Sequence, residues 1–266
     1  MDADLAVLAR CVGDVDAFAD RHWGRAPVLR RAAGAFDDLL DVDAVESLLV
    51  SSARRPTFRL VRDGGTLPPD GYTATVRLGS ASVPGVADVG AIATLVGEGA
   101  TVVLHSLQRT WLPLVGFCRA LERATSHPVQ ANAYLSPGGT PGLGRHADDH
   151  DVLVLQVDGA KGWDVDGLGP FDLAAGDVLY LPGGTEHAAT ATAGPSLHIT
   201  LGFLRVTYRQ VLRRALADLD GDLDDPLPLG YARGDGDGPD RLADGVATRF
   251  AETARHLEKA DAAEVA

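Results

Sequence analysis

Apolar residues recur at helical spacing through Leu5–Val12 and again through Val42–Val50, so residues 1–50 read as mainly helical. Between those stretches the pattern breaks at His22-Trp23-Gly24-Arg25-Ala26-Pro27-Val28-Leu29, where Pro27 holds the chain extended. Residues 57–85 carry short apolar runs separated by turn chemistry, Gly64-Gly65 and Pro68-Pro69-Asp70-Gly71, which predicts strands and turns. A helix is expected over Val89–Leu95, then a turn at Gly97-Glu98-Gly99 and a short strand over Thr101–His105. Pro113–Thr125 is amphipathic and predicts a helix, with Pro113 suited to its first turn.

The rhythm changes at Pro128. As far as Arg205, short runs rich in Val, Leu and Thr alternate with Gly and Pro turns. The runs are Val129–Leu135, Asp151–Val157, Gly162–Val165, Asp177–Leu181 and Leu197–Leu204, a pattern of antiparallel sandwiches and barrels. A helix is expected from Thr207 through Leu219, then a Gly/Asp-rich linker over Asp220–Asp240 and a last helix over Arg241–Lys259. The expected organisation is therefore residues 1–125 as helices and strands that complete a barrel, 126–206 as its core, and 207–266 as C-terminal helices.

Composition narrows the functional classes. A chain of 266 residues can bury one substantial core plus a smaller appendage. Its longest apolar runs, such as Val152–Val157, fall far short of a membrane span. The opening Met1-Asp2-Ala3-Asp4 lacks the basic and apolar regions of a secretory signal. Cys11 and Cys118 are too few for a disulfide framework or a zinc cluster, so a cytoplasmic protein is expected. A formal charge of −13 argues against nucleic-acid binding, which needs a positive surface. Of the 24 basic residues only Lys161 and Lys259 are lysine, which makes a lysine among apolar strand residues stand out.

His146-Ala147-Asp148 carries the first chemical content. At the head of the strand that continues into Val152-Leu153-Val154-Leu155, residues two apart would share a face. One further ligand would complete a two-histidine, one-carboxylate triad, the set that leaves open positions on Fe(II). By itself the tripeptide is common and mostly superficial. Gly176-Asp177-Val178-Leu179-Tyr180-Leu181-Pro182-Gly183-Gly184-Thr185-Glu186-His187 adds a turn, a buried strand, a second turn and a histidine that an antiparallel return would bring alongside. His150 competes for the third position but lies further along, where it reads as packing or support. His198 reads either as a core histidine or as a cavity residue. His22, His105, His127 and His256 are read as structural.

Taken in order, these segments resemble a JmjC-type oxygenase of the cupin superfamily, in its ribosomal-oxygenase-like branch. The residues that carry the resemblance are Val129-Gln130-Ala131-Asn132-Ala133-Tyr134, His146 through Gln156, Gly159-Ala160-Lys161-Gly162-Trp163, Asp177 through His187, and Ser196 through Thr200. The helix and Trp-x-x-x-Pro element of Phe18–Leu29 extend it to about residues 15–206.

The resemblance implies a mainly β fold, a double-stranded β-helix with N-terminal helices and a short C-terminal helical region. It implies Fe(II) held by His146, Asp148 and His187, with 2-oxoglutarate and O2 as cosubstrates. Lys161 is implied as partner of the distal carboxylate of 2-oxoglutarate. Physical chemistry agrees, because a desolvated dianion needs a fixed cation. Asn132, Tyr134 and Ser196 are implied hydrogen-bonding partners of cosubstrate or substrate, while Thr200 reads as structural and Trp163 as core. The implied activity is hydroxylation of a protein or peptide side chain with release of succinate and CO2. The same chemistry on a small metabolite, and a metal-binding regulatory protein without turnover, remain open alternatives. Family members carry a helical dimerisation region and then a winged helix. Residues 207–266 have room for a shortened dimerisation element, so a homodimer through the C-terminal helices is an expectation and a winged helix is not.

Overall fold

A computed structural model describes residues 3–51, 53–140, 144–190, 194–217, 227–228 and 238–259. The chain divides into two compact units, Met1–Arg205 and Val206–Ala266.

The first unit opens with helices α1 (Ala3–Val12) and α2 (Val15–Arg21). Asp14 starts α2, its carboxylate accepting from the Ala17 N–H at 3.0 Å and so satisfying one of the free donors of the first turn. Strand β1 (Val28–Arg30) is the extended segment that follows Pro27, and helix α3 (Val42–Ser51) comes next. Strands β2 (Phe58–Arg62) and β3 (Gly65–Thr66) pair across the Gly64 turn, and β4 (Thr73–Leu78) and β5 (Ala81–Ala87) form a separate two-stranded hairpin. Helix α4 (Val89–Gly97), capped by Asp88, leads to strand β6 (Thr101–Leu104) and helix α5 (Leu112–Thr125).

The barrel is built from β7 (Val129–Ser136), β8 (Asp151–Val165), β9 (Gly169–Ala174), β10 (Val178–Leu181), β11 (His187–Thr190) and β12 (Ser196–Phe203). Its main path runs β1-β10-β8-β12-β7-β6-β2-β3, and β9 and β11 both pair with β8. All these pairings are antiparallel. This is the double-stranded β-helix expected from the sequence.

The sequence pattern divided residues 151–165 into two strands, whereas the structure has one of 15 residues. Gly159 explains the difference. Residues up to 158 pair with β10 and β12, and residues from 160 pair with β9 and β11, so the strand bends between two partner sets without losing its ladder. At that bend Gly159 has φ +63°, and a Cβ there would sit 2.0 Å from the Pro195 carbonyl oxygen. Strands β9 and β11 went unrecognised for a different reason. Pro170 and the alanines of His187-Ala188-Ala189-Thr190 carry weak strand signals, and pairing with β8 overrides them.

The apolar run of β8 is continuous because both its faces are covered. Leu153 and Leu155 join the large core with Leu8, Leu114, Leu121 and Ile199, while Val152 and Val154 join a second cluster with Trp163, Leu173 and Leu181. At the start of β8 the fully buried Asp151 carboxylate accepts from the Tyr180 hydroxyl at 2.7 Å and the Gly183 N–H at 2.8 Å, with the Arg205 guanidinium at 3.3 Å. An alanine at Asp151 would leave three buried or half-buried donors unsatisfied. Asp151→Ala is therefore expected to cost about 3 kcal/mol, read as a lower urea midpoint with an unchanged slope.

In the second unit, α6 (Tyr208–Ala217) and α7 (Gly238–Leu257) meet where Ala215 is buried and its carbonyl accepts from His256 Nε2 at 3.1 Å. Most of the expected linker at 220–240 lies outside the described residues.

Candidate metal centre

Neither His146 nor Asp148 lies on the strand that alternation assigned to them, because β8 begins at Asp151. A two-residue antiparallel bridge places them instead. The His146 N–H donates to the His187 carbonyl at 3.0 Å, and the His187 N–H donates back at 2.9 Å. The Gly184 N–H donates to the Asp148 carbonyl at 2.8 Å, which ties the same two segments together one step further along. The distant histidine thus reaches the His-x-Asp segment through the β10–β11 connection, as the antiparallel return required.

The three side chains converge. One ligand atom from each of His146, Asp148 and His187 lies within 4.8 Å of the others. His187 Nε2 is 3.8 Å from an Asp148 oxygen, and the two imidazole centroids are 4.4 Å apart. His146 Nδ1 donates to the Gly144 carbonyl at 2.8 Å and His187 Nδ1 to the Thr185 carbonyl at 3.0 Å. A carbonyl can only accept, so both rings carry their proton on Nδ1 and turn the Nε2 lone pair towards the shared point. Burial, with the neighbouring His146, holds the His187 pKa below the usual imidazole range, so this ring is neutral at physiological pH, the form that binds metal. The donor set is that of a facial triad with open positions for further oxygen ligands.

His150, the competing histidine, is outside this cluster. Its Nδ1 meets an Asp149 oxygen at 2.8 Å, and its ring stands over Gly202, where a Cβ would come within 2.7 Å of Nε2. It is a wall of the cavity, as the packing alternative had it.

Behind the triad lies a cavity of about 330 Å³. His146, Asp148 and His187 stand on its lining together with Lys161, Asn132 and Tyr134. Lys161 sits on the second half of β8, only 2% exposed, and no carboxylate among the described residues pairs with it. Its pKa is held below the usual lysine range by burial alone. Asn132 accepts from the Ser106 N–H at 3.1 Å, which fixes the amide on the cavity wall. Tyr134 stacks on His198 with centroids 4.9 Å apart and planes within 8°, and Thr200 lines the same cavity.

Ser196 departs from its expected role. It is buried off the cavity lining and accepts from Gln156 Nε2 at 3.0 Å. Ser196 shares a face of β12 with His198 and Thr200, but it lies at the start of the strand, opposite Gly159 and beyond the extra residue that bulges β8 at Val157, where Gln156 takes up its hydroxyl. Thr200 and His198 face the cavity instead, so Thr200 is more than structural and His198 is the cavity residue of its two readings. Trp163 belongs to both descriptions, packed in the second apolar cluster and lining the cavity beside His187 and His198. Arg59 was missed. It projects into the cavity from β2, outside the segments with chemical motifs, and its signal was a charge alternating with the buried Phe58 and Leu60.

Burial, assisted by Lys161, lowers the His198 pKa to about 3, so the native ring stays neutral where an unfolded histidine takes a proton. Between the unfolded value and about 3 the unfolded state binds more protons, so the wild type loses stability as pH falls through this window. A His198→Phe variant is expected to lose less stability than wild type between pH about 7 and about 4, read as the difference of their urea midpoints at each pH.

Known proteins resemble this chain in the same region. The JmjC domain family matches residues 108–170 and 166–211. Ribosomal oxygenase 1 of Gallus gallus is 30% identical over 281 aligned residues, covering 91% of this chain and 45% of that protein. The bifunctional lysine-specific demethylase and histidyl-hydroxylase NO66 of Drosophila mojavensis is 29% identical, covering 76% of this chain and 26% of that protein. The chain spans less than half the length of these relatives. In fold it is similar to the Escherichia coli ribosomal oxygenase YcfD, with a TM-score of 0.60 at 18% identity, covering 94% of this chain and 68% of that one. A second YcfD structure, in complex with cobalt and 2-oxoglutarate, gives a TM-score of 0.59 at 19% identity, with 93% and 69% covered.

Proposed function

Because the chain carries a JmjC domain of the ribosomal-oxygenase-like branch, we propose that it is an Fe(II)- and 2-oxoglutarate-dependent hydroxylase of a protein or peptide side chain. The observation that carries this reading is one cavity holding both a convergent His146–Asp148–His187 set and a buried, unpaired Lys161. A metal-binding protein without turnover has no need of the second feature, since a buried lone cation costs stability.

Bound iron would activate O2 at the expense of 2-oxoglutarate, one oxygen atom going to succinate with loss of CO2 and the other to a substrate C–H bond. The chain's own residues bind, orient and exclude water. His146, Asp148 and His187 hold the metal at the cavity rim, with the Nδ1 donors to Gly144 and Thr185 keeping both rings in place. Lys161 neutralises the distal carboxylate of the cosubstrate, with Tyr134 and Thr200 as neighbouring hydroxyl donors. The stacked Tyr134–His198 pair and Trp163 form an aromatic wall. No side chain is required as general acid or base.

A protein substrate is favoured over a metabolite by the relatives, which are named for ribosomal and histidyl targets. The same reading includes a cytoplasmic location and no nucleic-acid partner, in keeping with the charge of −13. It also includes a homodimer through the C-terminal helices, where Leu212 is 50% and Phe250 71% exposed.

The test is succinate release from protein reconstituted with Fe(II), 2-oxoglutarate and O2, with and without a digest of ribosomal proteins. The expected result is metal-dependent succinate that rises with the digest, and a peptide heavier by one oxygen atom. Succinate no higher than in the metal-free control would remove the proposal.

A further inference from the structure

Arg59 is the second cation of the cavity. It lies on β2 in register with Val103 of β6, which is in register with Tyr134 of β7, and Tyr134 with His198 of β12. With strands roughly 4.8 Å apart, Arg59 stands about 10 Å along the sheet from the Tyr134 backbone and about 14 Å from that of His198. Lys161 is carried by β8, at the far end of the strand path β8-β12-β7-β6-β2 from Arg59, so the β7 and β12 positions of Tyr134 and His198 come between the two. The stacked Tyr134–His198 pair therefore separates two positively charged ends of one cavity.

Arg59 has no anionic partner among the described residues. Its Nε is fully buried without a hydrogen bond, and no carboxylate among the described residues pairs with the guanidinium. Arginine does not lose its proton in a protein, so the charge stays. The charge balance, which rests on the proposed function, shows what is missing. A divalent metal, Asp148, Lys161 and a dianionic cosubstrate sum to zero, and the half-buried Arg59 leaves one positive charge uncompensated on the cavity wall. A buried donor without a partner is unfavourable until a ligand supplies one.

We propose that Arg59 is a specificity-determining residue, and that the substrate brings a carboxylate into the cavity beside the C–H bond to be hydroxylated. For a peptide this means an acidic side chain next to the target residue, received by the planar guanidinium with Gln130 and Asn132 alongside. The cosubstrate is held at the Lys161 end and does not use Arg59.

The test loads wild type, Arg59→Gln and Arg59→Lys with Mn(II) and saturating 2-oxoglutarate, and confirms folding by circular dichroism. Each is titrated with N-acetyl-aspartate amide and with its neutral isostere, N-acetyl-asparagine amide, followed by ligand-observed NMR. The expected result is at least about tenfold preference for aspartate in wild type, retained in part by Arg59→Lys and lost in Arg59→Gln. The 2-oxoglutarate affinity of Arg59→Gln should stay within about threefold of wild type. Equal binding of the two probes by wild type would overturn the proposal, as would a loss of 2-oxoglutarate affinity in Arg59→Gln matching that of Lys161→Ala. If wild type takes up no 2-oxoglutarate, the proposed function fails. The two probes titrated against unloaded wild type and Arg59→Gln then decide for or against Arg59.

Discussion

Replacing His187 by alanine is expected to lower Fe(II) affinity by more than about 100-fold and to abolish succinate formation, with the fold retained. Loss of groups that merely orient a metal ligand already costs about 10–100-fold in affinity, and His187 would be a ligand itself. The fold should survive because the backbone bridge between His146 and His187 uses main-chain groups that alanine keeps. Burial holds the native ring neutral, so the variant also removes a group that disfavours the folded state at acid pH. Anaerobic equilibrium dialysis against Fe(II) reads the affinity and circular dichroism the fold. His150→Ala is the control. Its ring packs over Gly202 outside the convergent set, so its iron affinity should change less than about threefold. Equal losses in the two variants would place the metal elsewhere.

Lys161→Ala is expected to weaken 2-oxoglutarate about 100-fold, equivalent to about 2.7 kcal/mol, while leaving iron affinity unchanged. The ligand-free protein should respond in the opposite direction. Lys161 is buried without a counter-charge, so Lys161→Met, which keeps the volume and removes the charge, should stabilise it by about 1 kcal/mol. That corresponds to a melting temperature roughly 2–4 °C higher for a chain of this size. The sign with pH follows from burial. The native lysine pKa is depressed, so between that value and the unfolded one the unfolded state binds more protons. Wild-type stability therefore climbs relative to Lys161→Met as pH rises through this alkaline window, and the gap closes. Saturating 2-oxoglutarate should reverse the order of the two proteins at neutral pH, because only wild type gains from the bound dianion. A Lys161→Met protein no more stable than wild type without ligand would mean that Lys161 reaches solvent.

The sequence was most legible where one feature had one physical cause. The apolar runs Val129–Leu135 and Leu197–Leu204 became β7 and β12 within a residue or so, and Pro113 did open α5. Lysine is so rare in this chain that Lys161 could be singled out, and it is buried on the cavity lining. The grouping of His146, Asp148 and His187 was also legible, but not its cause. Strand alternation does not reach His146, and the bridge that aligns it with His187 is a non-local pairing that no local pattern encodes. Ser196 is on the expected face of β12 but at its first residue, past the β8 bulge, where Gln156 occupies it; where a strand leaves the cavity is set by its partner strands and is not written in its own alternation. Arg59 was missed because its strand joins the cavity only through two intervening pairings, by way of Val103 and Tyr134. Long-range register decides such positions, and local periodicity reads them poorly.

The most direct measurement is an anaerobic titration of metal-free protein with Fe(II) and then 2-oxoglutarate, followed in the visible spectrum. Wild type, His187→Ala and Lys161→Ala are compared. The expected result is a metal-to-ligand charge-transfer band in wild type, absent in His187→Ala and reached in Lys161→Ala only at much higher 2-oxoglutarate. A folded wild-type protein that carries iron and yields no band on adding 2-oxoglutarate would contradict the central claim and favour a metal-binding protein without turnover.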